Sequence, residues 1–258
     1  MPPTKKSLGQ HWLNDATSLE AIAAAAELSD TDTVLEIGPG PGALTKLLVH
    51  KAKHVVAIEL DDNLAAQLPQ TVQAANLEVV NADILHYDLG QLPADYKVVA
   101  NIPYYLTSHL LRILSEASSP PTTMVLLIQK EVAERVAAQP GAMSILSVSV
   151  QLYYSVELGP IISADKFVPP PKVDSQVLIL KRLEQSLVPA EEVKAFLQVV
   201  KAGFAARRKT LLNSLAGGLR EEKSVVEAAL QTANLQPQQR PQELSLQQWF
   251  DLYKALHK

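Results

Sequence analysis

The stretch VLEIGPGPG, residues 34–42, decides the fold of this chain. Its first four residues predict a short strand, and the three glycines with their intervening prolines stop that strand. Helical spacing of apolar residues resumes over residues 43–51. A strand, a glycine loop and a helix in this order place backbone amides and a helix N-terminus beside a ligand. The stretch therefore predicts one strand–loop–helix unit of a ligand-binding α/β sheet.

Strands and helices alternate along the chain on both sides of this stretch. Alternation at this spacing predicts a doubly wound, mostly parallel sheet with right-handed crossover connections. The predicted strands are residues 55–59, 77–80, 97–100 and 123–128, and residues 151–158 and 175–182 also have an extended pattern. The predicted helices are residues 15–28 with Asn14 or Asp15 as N-cap, residues 62–68, and residues 107–116 with Thr107 as N-cap.

The pattern changes after residue 183. Residues 183–189 have the composition of a hinge, and the segments that follow are helical only. The predicted helices there are residues 191–206, 208–215, 222–232 and 246–256. We therefore predict an α/β domain over residues 1–183 and a small all-helical domain over residues 190–258.

The charge of the chain is unevenly distributed. The formal net charge is −4, which is unusual for a protein that binds nucleic acid. Between Lys181 and Arg220, however, eight basic residues stand against three acidic ones. A local basic face is the electrostatic requirement for binding a phosphate backbone, although a solvated helix surface has the same pattern.

Composition limits the cellular setting. The chain has no cysteine, which excludes disulfides and cysteine-based metal sites. No apolar run approaches the roughly 20 residues that span a bilayer. Residues 1–10 lack the apolar core of a signal peptide and leave no room for a transit peptide. We expect a cytoplasmic protein with no membrane segment and no metal.

An acidic residue is in register with the glycine loop. Glu59 ends the next predicted strand, 21 residues after Gly38. A carboxylate at this position can accept hydrogen bonds from both hydroxyls of a ribose. The alternative is a tight strand–helix turn followed by a surface acid. Strand, turn and acid in register favour a bound adenosine-type cofactor.

Three features distinguish the class of cofactor. The third glycine comes one position earlier than in typical dinucleotide sites, which disfavours an NAD-dependent oxidoreductase. Glu36 precedes the glycines, where a carboxylate suits a sulfonium or ammonium group. Asp83 follows the third strand and can accept the adenine amino group, although aspartate there is also a common turn cap. S-adenosylmethionine fits this pattern better than a dinucleotide.

The segment NIPY, residues 101–104, follows a buried apolar strand. The Asn101 side-chain oxygen and a neighbouring backbone carbonyl can each accept one N–H of an exocyclic amine. Pro103 has a fixed φ and no N–H, which stiffens the turn, and Tyr104 offers a flat face on which a base can stack. The segment therefore indicates a site that holds an aromatic base by its amino group.

Taken together, these motifs resemble the KsgA-type ribosomal RNA adenine N6,N6-dimethyltransferases, bacterial relatives of the eukaryotic dimethyltransferases and of the Erm enzymes. The resemblance covers nearly the whole chain and follows the order of the family's motifs. It rests on KSLGQHWL (6–13), EIGPGPGALT (36–45), NIPY (101–104), FVPPPKVDS (167–175) and FAARRKTLLNSL (204–215). It implies that residues 1–183 form a Rossmann-like S-adenosylmethionine methyltransferase domain and that residues 190–258 contact RNA.

The resemblance also implies roles for particular residues. The expected cofactor-binding residues are Gln10, His11, Leu13, Glu36, Gly38, Gly40, Glu59, Leu60, Asp83, Ile84 and Asn101. The expected catalytic residues are Asn101, Ile102, Pro103, Tyr104 and Phe167, the last as a second stacking face for the target base. The expected RNA-binding residues are Lys172, Arg207, Arg208 and Lys209.

The implied reaction is dimethylation of N6 on two adjacent adenosines near the 3′ end of 16S ribosomal RNA, in an immature small subunit, by a monomeric enzyme. Two departures remove RNA contacts that relatives can make: Leu212 stands where they often carry arginine, and residues 141–148 lack their Tyr-Gly-Arg-like residues.

Two alternative functions stay open. One is a DNA adenine methyltransferase, and the other is an RNA-binding assembly factor with weak or absent catalysis.

Overall fold

The computed structural model describes residues 9–206 and 208–257. Seven strands form the main sheet, in the order β4-β3-β2-β5-β6-β9-β7, and β1 pairs with β8. The strands are β1 (Trp12–Leu13), β2 (Thr33–Ile37), β3 (His54–Glu59), β4 (Leu77–Asn81), β5 (Lys97–Asn101), β6 (Thr123–Gln129), β7 (Tyr154–Ile162), β8 (Phe167–Val168) and β9 (Ser175–Arg182). Strands β2 to β6 pair in parallel, and β9 joins β6 antiparallel. The predicted doubly wound, mostly parallel sheet is confirmed.

The described helices follow the predicted alternation with two additions. They are α1 (Ala16–Ala25), α2 (Thr45–Leu48), α3 (Asp62–Thr71), α4 (Thr107–Ser115), α5 (Lys130–Val136), α6 (Ile145–Gln151), α7 (Val193–Phe204), α8 (Leu211–Leu219), α9 (Lys223–Thr232) and α10 (Leu246–Leu256). Asp15 is the N-cap of α1 and accepts a hydrogen bond from the Ser18 amide. Thr107 is the first residue of α4 rather than its cap, because a 3₁₀ turn leads directly into the helix.

Helices α5 and α6 were not predicted from the sequence, and the segment predicted to be extended from residue 151 becomes a strand only at Tyr154. Residues 145–151 are helical and the strand runs from Tyr154 to Ile162. A capping box starts α6, in which Ser144 and Ser147 each accept a hydrogen bond from the other's backbone amide. Two serines in a short apolar segment are a weak signal, since serine serves caps and turns equally well.

The central strands of the sheet are fully buried. The five inner residues of β6, Met124 to Ile128, have no exposed surface, and Val98 to Ala100 of β5 have none either. Strands that are buried on both faces need helices on both sides, which is typical of parallel sheets. The open edge at the carboxyl ends of β2 to β5 is where such a fold binds ligands.

The chain divides into two compact units. One combines the residues up to Ala133 with Ser155–Arg182, and the other combines Glu134–Tyr154 with the residues from Leu183 onward. Residues 134–154, which the sequence analysis assigned to the α/β domain, therefore group with the C-terminal helices. In that second unit Trp249 is fully buried, and a Cβ atom at Gly203 would collide with its ring. The assignment of functions to the two predicted domains stays a prediction.

Among the described residues, no helix is both long and apolar enough to pass through a bilayer. The same residues contain no group of three histidine, aspartate or glutamate side chains that could hold a metal ion.

Candidate active site

A cavity of about 180 Å³ opens at the carboxyl ends of the parallel strands, within the α/β unit. Because these ends meet at one edge of the sheet, segments that lie far apart in sequence come together there. The cavity is lined by Gln10, His11, Leu13, Glu36, Gly38, Glu59, Leu60, Asp83, Ile84, Asn101, Ile102, Pro103, Tyr104 and Phe167, among others. Thus every residue expected in the cofactor and catalytic sets lines it except Gly40.

Gly40 does not line the cavity, but its backbone holds a residue that does. Its backbone has φ +55°, a left-handed conformation that favours glycine, and a Cβ atom there would lie 2.6 Å from Trp12 Cζ3. Its N–H donates to Glu59 Oε2 at 3.0 Å. The tight loop and the acidic partner that the sequence associated are therefore directly bonded to each other.

The Glu59 carboxylate is held by two backbone amides. Besides the Gly40 bond, its Oε1 accepts from the Asp61 N–H at 2.9 Å. Burial raises the pKa of Glu59 and the negative charge of Asp61 adds to this, while the two amide bonds oppose the shift. Since each carboxylate oxygen has a second lone pair, Glu59 is fixed in orientation and can still accept further donors. Its role towards a ribose stays a prediction.

Glu36 is the most buried carboxyl group in the cavity wall. Only 1% of the residue is exposed, and its Oε2 has no hydrogen-bond partner among the described residues. Burial raises the pKa of Glu36 to about 8, against the opposing effect of the Thr45 hydroxyl, and the negative charge of Glu59 adds to the rise. A buried acceptor without a partner costs stability unless a donor or a cation joins it. This is a site whose chemistry suits a positively charged ligand.

Asp83 caps the turn that follows β4, which was the alternative to a role in ligand binding. Its Oδ1 accepts from the Leu85 N–H at 2.9 Å, and its Oδ2 lies 3.2 Å from His86 Nδ1. These contacts orient the carboxylate at the end of β4, where it lines the cavity. A turn cap and a ligand acceptor are compatible here, because two bonds do not exhaust the acceptor capacity of a carboxylate.

The NIPY segment forms the stiff turn that the sequence predicted. Asn101 is the last residue of β5, and the Ile102 N–H donates to Leu127 O on the neighbouring strand at 3.2 Å. Pro103 starts a 3₁₀ turn over Tyr104–Leu106, and its carbonyl accepts from the Leu106 N–H at 3.0 Å. The turn therefore occupies the Pro103 carbonyl and leaves the Asn101 side chain at the cavity.

Two aromatic residues that the sequence analysis associated with the target base have distinct surroundings. The Tyr104 hydroxyl lies 2.8 Å from Ser175 Oγ, and its ring stacks on His11 with centroids 6.0 Å apart. Burial raises the pKa of Tyr104, so its hydroxyl is neutral and can donate. Phe167 lines the cavity, yet it is only 2% exposed and belongs to the hydrophobic core. Its role as a stacking face stays a prediction.

Of the expected RNA-binding residues, the three that the structure describes are not among those that line the cavity. Lys172 is exposed in the loop between β8 and β9 of the α/β unit. Arg208 and Lys209 are exposed between α7 and α8 of the second unit. Arg207 lies outside the described residues.

The cavity-lining residues that were not expected from the sequence include Trp12, Tyr105 and Leu106. Each adjoins a motif, and that adjacency was the available signal. Tyr105 directly follows the NIPY segment, and Trp12 lies between His11 and Leu13.

Comparison with known proteins gives matches along the whole chain. The model of a family described as "Ribosomal RNA adenine dimethylase" matches residues 2–258. The Ribosomal RNA small subunit methyltransferase A of Dehalococcoides mccartyi is 41% identical over 251 residues, which cover 95% of this chain and 86% of the relative. The protein of that name from Latilactobacillus sakei is 42% identical over 267 residues, covering 98% and 90%.

Two solved structures are similar over nearly their full length. A dimethyladenosine transferase from Plasmodium falciparum superposes with a TM-score of 0.81 at 28% identity, covering 94% of this chain and 96% of that one. The 23S rRNA methyltransferase ErmE superposes with a TM-score of 0.78 at 30% identity, covering 96% and 100%.

Proposed function

We propose that this chain, which belongs to the ribosomal RNA adenine dimethylase family, transfers methyl groups from S-adenosylmethionine to adenine N6 in small-subunit ribosomal RNA. It is a methyltransferase, and its product is N6,N6-dimethyladenosine. The observation that carries the proposal is the cavity, which brings Glu59, Asp83 and Asn101 together at one edge of the sheet. Two adjacent adenosines near the 3′ end of 16S ribosomal RNA are the proposed targets.

The residues present fit S-adenosylmethionine. Glu36 offers a buried acceptor without a partner to the cationic part of the cofactor. Glu59, fixed by two amides, would accept the ribose hydroxyls, and Asp83 would accept the adenine amino group. Gly38 has φ +64°, and a Cβ atom there would come within 4.0 Å of Pro103 Cδ, so a side chain would enter the space beside the NIPY segment.

When bound, the cofactor supplies an electrophilic methyl group on a cationic sulfur, which leaves as a neutral thioether. The protein's part is to make the adenine nitrogen nucleophilic. The N6 lone pair is delocalised into the ring, and accepting both N–H groups favours a tetrahedral nitrogen with a localised lone pair. Asn101 supplies one acceptor, and we assign the other to the Ile102 carbonyl, because the Pro103 carbonyl has already given one of its two lone pairs to the Leu106 N–H of the turn.

Catalysis by this site is positioning and electrostatic complementarity. The turn that carries Asn101 is stiffened by Pro103 and bonded to β6, so its acceptors need no reorganisation during the reaction. Tyr104 and Phe167 would hold the target base outside the RNA stack. In each of two rounds the nitrogen gains one methyl group and then releases one proton to solvent, so the pocket must also admit the monomethylated base.

The remaining parts of the proposal concern the partner. Exposed Arg208 and Lys209, with Arg207, would contact the phosphate backbone, and Lys172 would contact RNA from the loop before β9. We propose that the substrate is ribosomal RNA within an immature small subunit and that the enzyme acts in the cytoplasm as a monomer.

The decisive experiment measures dimethyladenosine. Small subunits lacking this modification are incubated with the protein and labelled S-adenosylmethionine, and their nucleosides are analysed by mass spectrometry. We expect Asn101→Ala to abolish methylation while leaving cofactor binding largely intact. Turnover on duplex DNA instead of the subunit would favour a DNA methyltransferase, and binding of the subunit without turnover would favour an assembly factor.

A second measurement tests the RNA face. Reversing the charges of Arg208 and Lys209 should weaken RNA binding, because these side chains would then repel the phosphates. The slope of log affinity against log salt should become shallower by about 0.7–0.9 for each phosphate that the variant no longer neutralises. Reversing Lys51 and Lys53, two exposed lysines outside the basic segment, changes the net charge by the same amount and serves as the control. Equal affinity and equal slope in all variants would remove these residues from the proposed interface.

A further inference from the structure

Large apolar side chains with high exposure need an explanation where they line a cavity. Among the described residues, two such side chains do so: Leu60, 45% exposed, and Tyr105, 59% exposed. Leu60 follows Glu59 and already belongs to the expected cofactor set. Tyr105 has no role in the function proposed above. An aromatic face left open at a cavity wall is removed from water when a ligand covers it.

Tyr105 differs sharply from its neighbour Tyr104, although both belong to the same 3₁₀ turn. Tyr104 is engaged by Ser175 and His11. Tyr105 packs instead against the backbone of residue 9, where a Cβ atom on Gly9 would lie 3.4 Å from its Cδ1. Gly9 adjoins the segment that carries Gln10 and His11, which line the same cavity. Side-chain contacts therefore hold Tyr104, whereas more than half of Tyr105 stays open at the cavity.

Tyr105 shares the cavity wall with Glu59 and Asp83, the two carboxylates assigned to the adenosine half of the cofactor. The electrostatics agree with this placement, because burial raises the pKa of Tyr105 and the negative charges of Asp83 and Glu59 raise it further. These carboxylates disfavour an RNA phosphate at this position, whereas an uncharged nucleoside is compatible with them.

We propose that Tyr105 is a cofactor-binding residue, whose ring covers the adenosine half of S-adenosylmethionine in the cavity that it lines with Leu60 and Gly9. This inference rests on the proposed function, because it takes Glu59 and Asp83 to mark the adenosine end of the cavity. Contact of a base with an aromatic face supplies binding energy without sequence readout. The neutral hydroxyl of Tyr105 can also donate to an oxygen of the bound ligand.

Binding measurements on the full chain test the proposal without requiring turnover. Isothermal titration gives the Kd of S-adenosylmethionine and of methylthioadenosine, which carries the adenosine half without the amino acid. We expect Tyr105→Leu to raise both Kd values by the same factor, about tenfold. Tyr105→Phe, which keeps the ring, should stay within about threefold of the wild type.

Controls separate this role from folding and from substrate binding. Ile161 is 52% exposed but does not line the cavity, so Ile161→Ala should leave both Kd values unchanged. Saturating cofactor should restore kcat in Tyr105→Leu, with an unchanged KM for the ribosomal substrate. An unchanged Kd for both ligands, or a change in the KM of the RNA alone, would assign Tyr105 to the RNA and overturn the proposal.

Failure of the inference about Tyr105 can be distinguished from failure of the proposed function. If the wild type binds S-adenosylmethionine but methylates no RNA, the function fails while the comparison of Kd values still decides the role of Tyr105. If the wild type methylates RNA and Tyr105→Leu binds both ligands normally, only this inference fails.

Discussion

His11 Nδ1 lies 2.7 Å from the carbonyl oxygen of Pro169, a residue 158 positions further along the chain. A carbonyl can only accept, so Nδ1 carries the hydrogen. Beside this bond, the Asn14 N–H donates to Lys166 O at 3.0 Å. The segment before α1 is thus tied to the loop around β8, and the His11 ring stacks on Tyr104. A residue expected to contact the cofactor therefore also positions the loop that carries Phe167.

This arrangement predicts that replacing His11 lowers the kcat/KM for the RNA substrate. His11→Phe keeps a ring for Tyr104 but removes the N–H that binds Pro169. Since one such bond contributes about 1 kcal/mol, we expect kcat/KM for the ribosomal substrate to fall about fivefold. Steady-state kinetics checks this, with His50→Phe, an exposed histidine outside the cavity lining, as the matched control. A rise in the Kd of S-adenosylmethionine alone would instead leave His11 only its cofactor role.

The buried carboxyl of Glu36 predicts that cofactor binding depends on pH. Its pKa of about 8 means that the group is neutral in the free protein at lower pH and must lose a proton to bind a cation as carboxylate. The Kd of S-adenosylmethionine should therefore fall as pH rises towards 8, by at most about tenfold per unit, and level off above. Glu36→Gln should bind more weakly at pH 8 and lose most of this dependence. Parallel titrations of wild type and variant by calorimetry correct for ionisation of the cofactor itself.

The same group predicts a pH-dependent stability. Its pKa is raised above the ordinary value of 4.5. The contribution of protonated Glu36 to the free energy of unfolding is therefore fully present below pH 4.5 and is lost as the pH rises through 8. Without cofactor, Glu36→Gln should melt at a higher temperature than the wild type near pH 8, by roughly 5 °C or more. Glu20→Gln, in the exposed face of α1, should melt like the wild type. Identical melting of Glu36→Gln and wild type across pH 5–8 would contradict the prediction.

The contact between Gly40 and Trp12 predicts the cost of a side chain in the glycine loop. Gly40→Ala adds a Cβ atom 2.6 Å from the Trp12 ring at a left-handed position. We expect the unfolding free energy to fall by about 2–4 kcal/mol. Cofactor binding should also weaken, because the Gly40 amide holds Glu59.

Gly38→Ala is the matched control for this substitution. Its φ is +64°, close to that of Gly40, and the nearest described atom to a Cβ atom there would be Pro103 Cδ at 4.0 Å, so only backbone strain of about 1–2 kcal/mol applies. Denaturant unfolding measures both variants, and an equal decrease in the two would exclude the contribution of Trp12.

Sequence by itself determined the parallel sheet and the chemistry at its edge. Strand alternation, the glycine positions and the spacing from Gly38 to Glu59 are local signals, because they depend on neighbouring residues and on backbone geometry. Glu36, Glu59, Asp83 and Asn101 could be assigned to one site because parallel strands end at a common edge. The NIPY turn was readable because proline fixes its own φ.

Tertiary structure alone decided how these residues are held. That Glu59 is bonded to the Gly40 and Asp61 amides, and that His11 binds Pro169, depends on loops brought together by packing. Adjacent Tyr104 and Tyr105 are identical in type, yet Tyr104 is half-buried by contacts with Ser175, 71 residues away, and with His11, whereas Tyr105 stays open at the cavity. Contact partners that lie far away in the sequence leave no signal in the residues next to either tyrosine. The different environments of Tyr104 and Tyr105 could therefore not be predicted from a local pattern.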